Sequence, residues 1–83
     1  MTVQKGILQC LGEVLEKDVS GVNVEDEIKT LGKMGLTSIN GIYFILKLEE
    51  TFNIRFEPHE LAVENINTIP KLYRLITSKG VNN

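Results

Sequence analysis

Cysteine and histidine are almost missing from this chain: one of each occurs in 83 residues. A lone cysteine excludes an internal disulfide framework and a cysteine-built zinc site. A lone histidine leaves little material for a metal site or a histidine-based triad. Positive charge is not in excess either. Nine Lys and Arg stand against eleven Asp and Glu, for a net charge of −2, so the electrostatic footprint of a nucleic-acid binder is absent. No charged stretch followed by an apolar one opens the chain, and no apolar run approaches the roughly 20 residues a bilayer crossing needs. A chain this short buries only about 60–65% of its unfolded surface. That disfavours a deep cleft, and with it a self-sufficient enzyme. What is present is a globular composition, 42% hydrophobic and 24% charged, which argues against disorder. The expectation is a single domain over residues 1–83, soluble, cytoplasmic and monomeric. No catalytic residue, metal, nucleic acid or membrane is expected to serve it.

No repeat, low-complexity tract or linker divides the sequence. Val3, Ile7, Leu8, Leu11, Val14 and Leu15 recur at helical spacing. They predict a first helix from Val3 to Lys17, in spite of Gly6 and Gly12. From Asp18 to Thr37 the period breaks. Val19, Val22 and Val24 alternate with polar residues, but no second stretch offers a strand partner. A long loop is therefore predicted, with one helical turn from Glu25 to Leu31 capped by Asn23. A second helix is predicted from Ser38, as its N-cap, to Phe52, with Asn53 as its stop. Weaker turns follow at Pro58 to Ala62 and at Val63 to Asn67. Thr68 and Pro70 open a last helix with the stripe Ile69, Leu72, Tyr73 and Ile76. It ends at Lys79 and Gly80, leaving residues 80–83 as a flexible tail. The expected fold class is all-α: an antiparallel bundle of three main helices plus one short helix, with a long loop between helices one and two.

The second helix has two apolar faces. At about 100° per residue, Phe44, Ile45, Leu48 and Phe52 gather on one side. Ile39, Ile42, Tyr43 and Leu46 gather on the other, continued by Glu49 and Glu50. A small bundle has too few helices to cover both. The stripe that runs into the glutamates is the one expected to face water, because carboxylates must reach it. An exposed apolar strip edged by charge is a candidate docking surface. In the competing reading the long loop lies over this stripe and all eight residues are core.

Ser38 stands where the loop Met34-Gly35-Leu36-Thr37 meets the second helix. Unpaired N–H groups and the helix dipole favour a phosphate at such a point, although a serine there is also a plain N-cap. The string Met34-Gly35-Leu36-Thr37-Ser38-Ile39 resembles the attachment motif of the acyl and peptidyl carrier protein family, Leu-Gly-Leu-Asp-Ser followed by Leu, Ile or Val. Phe44 to Ile54 is similar to a family run ending Leu-Glu-Glu-Glu-Phe-Gly-Ile. Glu60 to Ile69 looks like the family's third helix and the cap of its fourth.

The resemblance implies that Ser38 carries 4′-phosphopantetheine, transferred from coenzyme A by a separate phosphopantetheinyl transferase. The imported thiol then holds acyl, aminoacyl or polyketide groups as thioesters, and acyl- or aminoacyl-loading and synthase enzymes are the remaining partners. Thr37, Ile39, Ile42, Tyr43, Leu46, Glu49 and Glu50 become the partner-facing surface. Two departures matter. Thr37 replaces the family's usual Asp, and Tyr43 and Lys47 stand where carboxylates are frequent. Both point to a specialised lipid, polyketide or nonribosomal peptide pathway. Thr37 also keeps open an unmodified, carrier-like interaction module. Cys10 is expected to be a buried apolar side chain and His59 a solvated turn residue.

Overall fold

In the computed structural model, which describes residues 2–81, all regular structure is helical. The helices are α1 (Val3–Leu15), α2 (Ser38–Phe52), α3 (Val63–Ile66) and α4 (Ile69–Ser78). Single 3-10 turns occupy Gly32–Met34 and Pro58–Leu61. α1 packs on α2 and α4, while α3 packs on α4 and the Pro58–Leu61 turn. The expected all-α bundle with one short helix and a long first loop is the observed fold.

Thr2 opens α1, its hydroxyl accepting from the Lys5 N–H at 3.1 Å. The helix ends two residues before the expected Lys17. Glu16 turns into the left-handed region at φ 56°, and the Lys17 N–H returns to the Gly12 carbonyl at 3.2 Å. Val3, Ile7, Cys10 and Leu11 form its buried stripe. Gly6 belongs to that stripe for a different reason. A Cβ there would lie 2.5 Å from Cζ of Phe52, so only glycine lets the end of α2 approach so closely. The weak helix former is the contact point between the two helices.

The loop before α2 drops Val19, Leu31 and Met34 into the core. The helical turn expected from Glu25 to Leu31 does not form. The Asn23 side-chain oxygen accepts from the Glu25 N–H at 3.0 Å. Asp26 accepts from the N–H groups of Ile28 and Lys29 at 2.8 and 3.1 Å. These short polar side chains offer the backbone bonds that a helix would otherwise have made. The loop's only helical turn comes later, at Gly32–Met34.

Thr68 caps α4 by accepting from the Lys71 N–H at 3.3 Å, and Ile69, Leu72 and Ile76 point into the core. Past the helix, the Lys79 ammonium reaches the Glu60 carboxylate at 2.7 Å and lies 5.6 Å over the Phe56 ring. The Lys79 ammonium, with the Glu57 N–H that Glu60 also accepts, holds the Glu60 carboxyl below its ordinary value. Of the expected tail, Val81 packs half-buried against the core, and residues 82–83 lie outside the described residues.

Candidate functional site

The turn into α2 is built by Thr37, which takes the N-cap place expected for Ser38. Gly35, at φ 117°, reverses the chain, and Thr37 is still extended at φ −112° and ψ 176°. Its hydroxyl accepts from the Asn40 N–H at 3.2 Å, and the Asn40 carboxamide oxygen accepts from the Thr37 N–H. This reciprocal capping box satisfies two groups that would otherwise be orphaned. Ser38 is thereby the first helical residue and not the cap. Its side chain is released from structural duty and is exposed. The N–H groups of Ser38 and Ile39 lack an intrahelical acceptor by position, and with the helix dipole they suit an anion on the serine oxygen.

The two faces of α2 separate as expected. Phe44 and Leu48 are fully buried, with Ile45 and Phe52 half-buried behind them. Across the helix, Ile39 is 73% exposed, Ile42 and Tyr43 each 63%, and Leu46 55%. The long loop does not cover them. The charged residues behave less uniformly. Glu50 is exposed, but Glu49 is half-buried and accepts from the Phe56 N–H at 2.9 Å, tying the following loop to α2. Lys47 is held by Glu13 at 2.8 Å, and its ammonium draws the Glu13 carboxyl below its ordinary value. No acidic residue occurs from Ser38 to Leu48, so the exposed face is apolar and nearly neutral.

Between α2 and α3 runs a groove of about 620 Å³ whose lining includes Ser38. Leu36, Ile42, Leu46, Leu61, Val63 and Ile66 give it apolar walls. Ile42 and Leu46 belong to both the groove and the exposed face, which makes the two continuous. Val63, 70% exposed on α3, extends the same surface. The residues at 61, 63 and 66 could have been suspected only from being apolar in a segment too short to have a core face of its own. Among the described residues no three His, Cys, Asp or Glu side chains cluster to hold a metal ion. Cys10 is buried 3.3 Å from the Thr51 hydroxyl, and burial pushes its thiol up from the ordinary value. It takes no part in the groove.

An exposed serine at the first turn of a helix, an apolar face beside it and an apolar groove under it define a scaffold for presenting an attached group. Sequence comparison agrees with this class. The family model for the phosphopantetheine attachment site matches residues 5–76, and the chain belongs to that family. No curated protein and no solved structure matches the chain. Members of the family carry 4′-phosphopantetheine covalently, and such carrier domains are typically non-catalytic and work with transferases and synthases. No helix among the described residues is long and apolar enough to cross a membrane. The residues present fit the group. The serine oxygen is open, two free N–H groups adjoin it, and the groove beside it can take an apolar chain.

Proposed function

We propose that Ser38 is the attachment residue and that the chain is an acyl carrier protein of a specialised lipid, polyketide or nonribosomal peptide pathway, acting in the cytoplasm and catalysing nothing itself. The observation that carries this reading is the exposed Ser38 on the lining of the apolar groove. In the modification the Ser38 oxygen forms a bond to the phosphorus next to pantetheine in coenzyme A. The pyrophosphate P–O bond breaks, an adenosine bisphosphate leaves, and the serine proton passes to a base on the transferase. The bound group supplies a thiol that holds carboxylic acids as thioesters. The groove favours an aliphatic acyl cargo over an aminoacyl one, because its walls are almost wholly apolar and Glu49 is the one charged residue on its lining.

Ile39, Ile42, Tyr43 and Leu46, with Thr37 and Glu50 at the rim, form the docking surface for the transferase and the loading enzymes. Without acidic residues along most of α2, recognition rests on apolar contact more than on charge steering. Incubation with coenzyme A and a broad-specificity transferase should add the mass of one phosphopantetheine, and Ser38→Ala should abolish the addition. Addition elsewhere would overturn the assignment of Ser38. No addition with any transferase would leave the unmodified interaction module as the better reading.

A further inference from the structure

Four residues of α2 lie in one line along its surface. Ser38, Ile42, Ile45 and Glu49 are spaced by four, three and four residues, the steps that return a helix to the same side. All four line the groove. Ser38 is the first residue of α2 on that lining and Glu49 the last, about 16 Å apart along the axis at about 1.5 Å per residue. The middle of the line is apolar, and its far end carries the one charged side chain of the lining.

The line stops at Glu49 for a structural reason. Its next position, four residues on, is Asn53, which caps α2 in the left-handed region at φ 54°. The Glu49 carboxylate also accepts from the Phe56 N–H at 2.9 Å, so the chain leaving α2 passes at the tip of this side chain. Phe56 itself is buried and does not line the groove. No other donor among the described residues reaches the half-buried carboxylate, whose remaining acceptor capacity is left to water. A methyl group pressed against it would strip that water from a charge. The loss outweighs what one apolar contact returns.

We propose that Glu49 sets the length of the cargo: a saturated acyl chain carried on Ser38 fills the groove up to the Glu49 carboxylate and no further. This rests on the carrier reading of Ser38 and on an aliphatic cargo. Each methylene that enters the groove holds the thioester more firmly against the protein, until the chain end meets the carboxylate. Longer chains gain nothing more, because their additional carbons stay in water.

For the test, a broad-specificity transferase and a series of saturated acyl-coenzyme A donors load the wild type, Glu49→Met and Glu49→Gln, each product confirmed by mass. Thioester cleavage by hydroxylamine then reads the fraction of chains outside the groove. In the wild type the rate should fall about fourfold per added methylene and then level off at one chain length. Glu49→Met puts a flexible apolar group in place of the carboxylate, and the levelling should come about two carbons later. Glu49→Gln keeps a polar end and an acceptor for the Phe56 N–H, and should level where the wild type does. A loosened fold alone would alter the rate at every length and leave the levelling point in place. In ¹⁵N-labelled wild type the Phe56 amide resonance should first move at the levelling length, a readout that stands even if a variant folds poorly. A wild-type rate that never levels overturns the proposal. So does a levelling point that Glu49→Met leaves unmoved, or a Phe56 resonance that stays still at every length. Failure to gain any acyl-phosphopantetheine mass refutes the carrier reading itself, which the mass measurement records separately.

Discussion

Truncating one side chain on each face of α2 puts numbers on the division between core and docking surface. Phe44 is 1% exposed and its ring fills the centre of the bundle, whereas Ile42, two residues earlier, is 63% exposed. Phe44→Ala removes a fully buried aromatic, a change that typically costs about 3–5 kcal/mol. A domain of this length has only about 4–12 kcal/mol in total, so the variant should lose a large part of its urea midpoint. Ile42 has about a third of its surface covered. Full burial of such a side chain is worth about 1.5–3 kcal/mol, so truncation forfeits ~0.5–1 kcal/mol. Alanine's better helix propensity returns ~0.4 kcal/mol. The net for Ile42→Ala is about 0.5 kcal/mol or less, a shift of a few degrees in Tm by the usual scaling. Urea melts of both variants, with kcat/KM for modification by a broad-specificity transferase, form the assay. Phe44→Ala should melt early, while Ile42→Ala should stay folded and be modified more slowly, as expected for an apolar anchor in an interface. Comparable destabilisation by the two would refute the reasoning, because the face assigned to docking would then be core.

Thr37→Ala loses the hydroxyl that accepts from Asn40 and should cost about 1 kcal/mol, seen as a lower Tm. Thr37→Asp keeps a capping oxygen and should melt like the wild type, yet be modified faster by a generic transferase if the family's aspartate matters for recognition. Replacing Gly6 by Leu should drive Phe52 out of its place against α1 and destabilise the fold by about 1–3 kcal/mol in denaturant melts. Glu60 binds its proton less readily folded than unfolded, so its contribution to stability is present above the ordinary glutamate range and is lost as pH falls below it. Stability measured against pH should therefore drop less on acidification in Glu60→Gln than in the wild type.

The helical period carried most of the fold. α1, α2 and α4 are long enough for the spacing of Ile7, Leu11, Phe44, Leu48, Leu72 and Ile76 to mark their buried sides. The opposed faces of α2 were legible for the same reason. Local competition between side chains and backbone was not. Asn23 and Asp26 divert N–H groups that a periodic reading assigns to a helix. Whether Thr37 or Ser38 caps α2 depends on which residue is the last extended one, and both types cap well. Glu49 looked like a free carboxylate because its acceptor role depends on a bend seven residues on, at Phe56. The groove was out of reach because it is assembled from the end of the long loop, α2 and the stretch at 61–67. No single stretch carries a pattern for it.

The contact of Lys79 with Glu60 and Phe56 has a consequence for where the chain can be cut. Lys79 lies just beyond the last helical residue, Ser78, and its ammonium closes a circuit 19 residues long through α3 and α4. A protein ending at Ser78 would keep every helix and the serine turn. It would nevertheless take the ammonium from Glu60 and from the Phe56 ring, leaving the Glu60 carboxylate with the Glu57 N–H alone, and it would remove Val81 from its place against the core. The packed body therefore runs past its last helix, through the Lys79 ammonium to Val81, and a cut placed by regular structure alone would fall inside it.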